Sequence, residues 1–154
     1  MIFHGESRES HQELRRGRRR RGGAILEAAL VLPILLGLCF GMVEFGYYFF
    51  VKHTLQGAAR DGARMGIVPT GTNAKVNATV ATAMKAAGFE DGAYQIDIKH
   101  AETGANLNVS TAAAQTPVKV VVKCTWSSIS GGLRPLGLID ETKEVTGITV
   151  MLKE

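Results

Sequence analysis

An apolar run near the N-terminus constrains the fold of this chain more than any other feature. The run covers residues 23–51, in which the charged residues are Glu27 and Glu44, and residues 28–43 carry no charge. These 29 residues would form a helix about 43 Å long, whereas the hydrocarbon core of a bilayer is about 30 Å thick. The run therefore predicts a transmembrane helix that holds both glutamates near the membrane interfaces.

A buried core helix and a removable secretory signal are the two alternatives to a membrane span. A buried core helix of a soluble protein is usually shorter and less apolar. A removable secretory signal has the same order of basic and apolar regions. However, its apolar region is about half as long and ends in a small-x-small cleavage site, which this run lacks. Both alternatives fit the run less well than a retained membrane span does.

All of the excess positive charge of the chain lies before the apolar run. Residues 1–22 contain seven arginines and three glutamates, a net charge of +4 that equals the net charge of the whole chain, so residues 23–154 are neutral overall. Nucleic-acid-binding proteins carry basic residues over a folded face, so this distribution argues against a nucleic-acid partner. Because densely packed like charges do not build a core, we expect residues 1–22 to be a disordered leader.

The residues on the two sides of the run predict its orientation. Basic residues flank the cytoplasmic end of membrane helices, so residues 1–22 would be cytoplasmic and residues 52–154 would form a head on the other side. Five of the ten aromatic residues of the chain lie between positions 45 and 50, at the head end. Aromatic side chains are common at membrane interfaces, so these five are predicted to form an interfacial belt.

Glu27 is a carboxylate inside a membrane segment, which is a functional-site hypothesis by default. Before it, the sequence changes from basic to apolar at Gly22 and Gly23. Cleavage of the bond between these glycines would create an α-amino group one helical turn before Glu27. In a fibre, the amine of one subunit could pair with the Glu27 carboxylate of its neighbour, and burial would strengthen the pair. The alternative is that Glu27 only extends toward the lipid headgroups.

Three local features stand out between residues 20 and 68: the layout from Gly22 to Glu27, Leu32-Pro33 in the apolar run, and Val43-Glu44-Phe45-Gly46 followed by residues 58–64. With these features the segment resembles the TadE-like pseudopilins of tight-adherence (Flp-type) pilus systems. The stretch 146–152 also resembles the final strand of that family.

The resemblance implies a minor pseudopilin that takes part in pilus assembly. Such a protein is anchored in the bacterial inner membrane by one span, with a cytoplasmic N-terminus and a head in the periplasm, or outside the cell when it is part of a pilus. Its leader is removed by a prepilin peptidase, here between Gly22 and Gly23. Its partners are the peptidase, other pseudopilins, the pilus assembly machinery and the lipid bilayer.

Small residues recur at intervals of four along the N-terminal helix. One row lies inside the apolar run, at Gly37 and Gly41, and a second lies beyond it, at Ala58, Gly62 and Gly66. Such rows allow helices to approach each other closely. Both rows are predicted helix-packing sites, and the second can pack either against neighbouring pilins or against the head of its own chain.

Residue periodicity predicts an α+β head after the membrane span. The N-terminal helix is expected to continue beyond the membrane, to break near residues 68–71 and to be followed by a second helix over 75–87. Alternating or β-branched residues predict three strands, over 94–99, 118–126 and 144–152. The predicted fold is a long N-terminal transmembrane helix that continues into a small head with a second helix and a roughly three-stranded antiparallel sheet.

The sequence contains no recognisable arrangement of catalytic, cofactor-binding or metal-ligating residues. The four histidines are isolated, and no phosphate-binding loop or nucleotide fingerprint is present. Cys39 would lie in the membrane and Cys124 in the head, so we expect them to stay unpaired. We therefore expect a protein that is not an enzyme and has no cofactor, no metal and no small-molecule substrate.

A second function is open beside the processed pseudopilin. The chain could be an uncleaved single-pass membrane anchor whose periplasmic head binds another envelope component. The binding surface would then be the predicted Gly-rich loop over residues 127–140, beside Trp126. Retention of the arginines in the mature protein would distinguish this anchor from the pseudopilin.

Overall fold

The computed structural model describes residues 7–129 and 135–154, with side chains from residue 23 onward. The chain divides into two compact units at a point within its first helix. The first unit ends at Met42 and the second, the head, is Val43–Glu154. The boundary lies close to the predicted outer end of the membrane span.

The first helix, α1 (Ser7–Ile67), is continuous over 61 residues, with Pro33 in its interior. It contains the whole predicted span and continues beyond it, as predicted. It also includes residues 7–22, which were predicted to belong to a disordered leader. Arginine and glutamate have high helix propensities, and extending an existing helix avoids the cost of nucleation. The charge density of the leader is therefore compatible with helix.

The second helix, α2 (Asn73–Ala86), confirms the predicted second helix and begins two residues earlier than predicted. Its first turn is capped by Thr72, whose hydroxyl oxygen accepts a hydrogen bond from the N–H of Lys75 at 3.2 Å. This bond satisfies one of the backbone donors that a helix start leaves unpaired. One face of α2 is apolar and buried, through Val76, Val80 and Met84.

Three antiparallel strands form a single sheet in the order β1-β2-β3, so the α+β fold class is confirmed. The strands are β1 (Gln95–His100), β2 (Pro117–Thr125) and β3 (Glu144–Leu152). In the register of the sheet, Val121 of β2 lies between Asp97 of β1 and Ile148 of β3. β1 ends one residue after the predicted strand, and β2 ends one residue before its predicted end.

A one-turn helix, α3 (Trp126–Ile129), follows β2 where the sequence predicted the start of a long loop. Trp126 and Ile129 are three residues apart, so one helical turn places both on the same side, and both are buried. Burial of these two side chains therefore outweighs the loop-like composition of the segment. Residues 130–134, which belong to the same predicted loop, lie outside the described residues.

The core of the head lies between the two long helices and one face of the sheet. Its buried side chains from β2 are Val118, Val120, Val122 and Cys124, and those from α1 include Val51, Leu55, Ala59 and Ala63. At Gly147 in β3 the strand and helix backbones are in contact, because a Cβ placed there would overlap the backbone of Leu55. The missing side chain of Gly147 is therefore what allows α1 to lie directly on β3.

Polar side chains of α1 cover part of the free edge of β3. The Gln56 side-chain amide donates to the Ile148 carbonyl oxygen at 2.7 Å and accepts from the Ile148 N–H at 3.1 Å. The Lys52 ammonium donates to the carbonyl oxygen of Thr146. Because an uncovered strand edge invites pairing with other chains, these bonds protect this part of β3.

Candidate membrane and assembly site

The part of α1 between Ile25 and Val43 exposes apolar side chains along its length. Between Ile25 and Val43 the exposed large apolar residues are Ile25, Leu26, Leu30, Val31, Leu32, Ile34, Leu35, Leu36, Leu38, Phe40, Met42 and Val43. A helix that is apolar all round belongs in a protein core or in a membrane. In the described part of the chain, α1 is the one helix long and apolar enough to cross a membrane, which is compatible with a single-pass membrane protein.

Glu27 and Gly23, two of the residues predicted to act in processing and assembly, lie on the surface of this segment. Both are exposed, and the bond between Gly22 and Gly23 lies within α1. Among residues 23–129 and 135–154, whose side chains the structure describes, no hydrogen bond or ion pair to the Glu27 carboxylate is present. An unpaired carboxylate beside lipid is costly, so this residue would gain stability from a cationic partner.

Glu44, which lies on the same helix, is fully buried. One carboxylate oxygen accepts a hydrogen bond from the backbone N–H of Ile139 at 2.9 Å, and the other accepts one from the N–H of Leu136 at 3.2 Å. Between these donors, Gly137 has a φ of +62°, a left-handed conformation that glycine adopts without strain. Residues 135–139 thus form a turn whose N–H groups converge on an anion. We call this segment the Glu44 loop.

The sequence predicted Glu44 near an interface but gave it no partner. A carboxylate in an apolar run needs hydrogen bonds if it is removed from water. This need was the one sign in the sequence that Glu44 has a hydrogen-bonding partner. The two donors lie 92 and 95 residues away along the chain and are backbone groups, which have no residue-type signature. Sequence patterns therefore could not predict the contact between Glu44 and its loop.

Of the five aromatic residues at positions 45–50, two pack in the head and three are exposed. Tyr47 and Tyr48 are half-buried, and their rings lie 5.7 and 5.6 Å from the ring of Trp126. The Tyr47 hydroxyl donates to the Ile129 carbonyl oxygen at 2.8 Å. The other three, Phe45, Phe49 and Phe50, are exposed. Only these three phenylalanines are thus available for an interfacial belt, because the tyrosines join α1 to α3.

The two predicted rows of small residues have different surroundings. A Cβ placed at Gly37 would meet nothing within 4 Å, and Gly41 is half-buried. Ala58, Gly62 and Gly66 are buried in the head, where a Cβ at Gly62 would lie 2.6 Å from the Val80 side chain. The second row therefore lets α1 and α2 approach each other within one chain, whereas the first row has open space at Gly37.

The Cys124 thiol is a buried titratable group of the head. Burial raises the pKa of the Cys124 thiol to about 11, and the nearby Glu144 carboxylate acts in the same direction. A thiol with so high a pKa is a poor nucleophile at neutral pH. Within residues 7–129 and 135–154, no group of three or more His, Cys, Asp or Glu side chains is placed to hold a metal ion.

The family model described as "TadE-like protein" matches residues 22–64 of the chain. The match covers 43 of the 154 residues and includes Gly22, Glu27 and Glu44. No curated protein and no solved structure gives a match. Along the chain, the matched segment therefore includes the exposed apolar part of α1, residues 25–43, and most of the part of α1 that packs in the head.

Proposed function

We propose that this chain, which is TadE-like over residues 22–64, is a minor pseudopilin that takes part in assembly of a tight-adherence (Flp-type) pilus. The observation that carries the proposal is Glu27, an exposed carboxylate at the basic end of a helix segment that is otherwise apolar. The seven arginines before it would keep the N-terminus in the cytoplasm. The head would then lie in the periplasm of the bacterium or, in a fibre, outside the cell.

A prepilin peptidase would cut between Gly22 and Gly23. This bond lies in a helix, so the chain must unwind locally to enter a protease site. Two consecutive glycines reduce the cost of unwinding, because glycine is less stable in a helix than alanine by about 1 kcal/mol. Cleavage would leave an α-amino group one helical turn before Glu27.

The new α-amino group would supply a cationic partner for Glu27. Glu27 has no ion pair with the residues that the structure describes, and a carboxylate near lipid is stabilised strongly by a nearby cation. The amine of one subunit would pair with Glu27 of the next subunit, and the predicted packing residues Gly37, which has open space around it, and Gly41 would allow close approach of the two helices. Other pseudopilins and the pilus assembly machinery would be the partners in this step.

Replacement of Glu27 tests the assembly role. In the bacterium that makes the protein, Glu27→Ala should leave the protein in the membrane fraction and abolish pilus formation, scored by electron microscopy. Glu13→Ala is the matched control, because Glu13 belongs to the leader that processing removes. Normal pili on the Glu27→Ala strain would refute the pairing of Glu27 with an amine.

Replacement of Gly22 tests the processing step separately. Gly22→Phe should leave the chain at its full length, because a peptidase that accepts glycine before the cut would exclude a bulky ring. Gly17→Phe changes a glycine in the same leader away from the cut and should be processed normally. Mature protein of unchanged mass in the Gly22→Phe strain would refute the requirement for glycine before the cut.

The second candidate is an uncleaved single-pass anchor whose head binds another envelope component. A surface on β3 favours it, because Ile148, Val150 and Leu152 are exposed apolar side chains on the face of the sheet opposite the core. The surface first predicted for this role is less suitable, since Trp126 is fully buried. An anchor would keep its arginines in the mature protein, whereas a processed pseudopilin would lose them.

A further inference from the structure

We propose that the Glu44 loop is a second membrane-contacting element of this protein, which carries Leu136 and Leu138 into the lipid at the head end of the span. The inference rests on the proposed function in one respect, namely that α1 crosses a bilayer. According to this inference, the bilayer contacts the Glu44 loop of the head as well as the transmembrane span.

The composition and exposure of the loop support contact with lipid. All five residues of the segment, Pro-Leu-Gly-Leu-Ile, are uncharged. Leu136 is 43% exposed and Leu138 is 56% exposed, whereas Ile139 is buried in the head. Single exposed leucines are common on soluble proteins, so their exposure alone does not indicate contact with lipid. The position of Leu136 and Leu138 on the molecule provides the further argument.

The hydrogen bonds to Glu44 fix the position of the loop along α1. A span of about 20 residues crosses the hydrocarbon core of a bilayer. A span that starts at Gly23 would therefore end close to Glu44. The apolar surface of α1 does not end there, because Val43 and Phe45 on either side of Glu44 are each 48% exposed. The two leucines are thus held at the level where the exposed surface of α1 is still apolar.

The chemistry of Glu44 explains why a loop is needed at this level. An ionised carboxylate facing lipid would be costly, and the cost falls when backbone donors satisfy its oxygens. The Glu44 loop supplies two N–H groups, from Leu136 and Ile139, and Glu44 is left with no exposed surface. The loop therefore encloses a charged group and presents leucine side chains on its outer side.

The positions of the charged residues around the loop are compatible with a membrane interface. The chain becomes charged directly after the loop, with exposed Asp140 and Glu141. On α1, the first cationic residue after the span is Lys52, eight positions beyond Glu44. An exposed apolar loop that is held at Glu44, between the exposed Val43 and Phe45, and is followed by charged residues fits an interfacial membrane element.

Site-directed fluorescence on the full chain tests the proposal. A background with Cys39→Ser and Cys124→Ala would receive one cysteine, in place of Leu138, and be labelled with the environment-sensitive dye NBD. The protein would be reconstituted into vesicles of phosphatidylethanolamine and phosphatidylglycerol. Labels in place of Leu36, in the span, and Thr103, in an exposed turn after β1, are the matched controls. A label in place of Leu136 gives an independent second measurement in the loop.

We expect the loop labels to emit at shorter wavelength than the label at position 103. They should lose intensity with spin-labelled lipid, as the label at position 36 does, and keep intensity with aqueous iodide. Quenching by iodide at 136 and 138, with lipid quenching at 36, would overturn the loop proposal and leave the span intact. Protection of the loop labels from both quenchers would also overturn it, in favour of a protein partner. Iodide quenching at position 36 would refute the span itself.

Discussion

The Glu44 carboxylate should hold the Glu44 loop against α1, and Glu44→Gln tests this role. In the head, one carboxylate oxygen accepts the N–H of Leu136 at 3.2 Å and the other accepts the N–H of Ile139 at 2.9 Å. Glutamine has one carbonyl oxygen, so one of these N–H groups would face an amide NH₂ group and lose its bond. A hydrogen bond to a charged group contributes about 1.5–3 kcal/mol. Because Leu136 is partly exposed and its N–H can be hydrated after the change, the lower end of this range applies.

A loss of about 1.5 kcal/mol makes the open form of the loop roughly ten times more populated, since each 1.4 kcal/mol is about a factor of ten. Amide hydrogen exchange of the full chain in lipid nanodiscs, measured by mass spectrometry on peptides covering residues 135–141, reports this population. Exchange in Glu44→Gln should be about tenfold faster than in the wild type, in line with that ratio.

Glu27→Gln is the matched control for this measurement. It makes the same chemical change on the same helix, at a carboxylate that is exposed and has no partner among the residues described in the structure. Exchange of the Glu44 loop should be unchanged in this variant. Equal protection of the loop in Glu44→Gln and the wild type would refute the conclusion that the carboxylate stabilises it.

Three further predictions concern the stability of the head. Gly147→Ala should lower the free energy of unfolding by about 1–3 kcal/mol, because the new Cβ would overlap the helix backbone. In the control Gly57→Ala the new Cβ meets nothing within 4 Å, so thermal melts should show no destabilisation of the head. Thr72→Ala should cost about 1 kcal/mol by removing the α2 cap, and an unchanged melting temperature would contradict this. The pKa of Cys124 is raised from 9.0 to about 11 by burial, so the unfolded chain loses this proton first and stability should fall between these pH values. Cys124→Ala should remove that part of the pH dependence, and an unaltered pH profile in denaturant titrations would show the assignment to be wrong.

The elements of the head were predictable from the sequence where periodicity and burial agree. Val118, Val120 and Val122 alternate with less buried residues along β2, and α2 buries Val76 and Val80 at helical spacing. Such patterns depend on residues that are close in the chain. They therefore gave the existence and type of the elements, with end points that differ by one or two residues.

The contacts that hold α1 in the head were not predictable in the same way. The bond from Tyr47 to Ile129 joins residues 82 positions apart, and the two bonds of Glu44 join residues more than 90 positions apart. Gly147 appeared in the sequence only as a residue within a strand, and its role depends on which helix lies over it. Long-range packing determines these roles, so no local pattern contains them.

The two rows of small residues also show that local sequence patterns do not identify long-range partners. Their spacing on α1 predicted helix packing for both, but spacing cannot say which helix is the partner. The structure gives Gly62 and Gly66 a partner in α2, through Val80 and Val76. Gly37 has open space in front of it, so its role in packing against another subunit stays a prediction.

The N-terminal residue and intact mass of the protein, purified from its native membranes, test the central claim most directly. Prepilin-type processing predicts a chain that starts at Gly23 and has lost the 22 residues that contain the seven arginines. A mature chain that still contains Arg15 to Arg21 would contradict the claim, because Glu27 would then have no new amine as its partner. That result would leave an uncleaved membrane anchor as the better account.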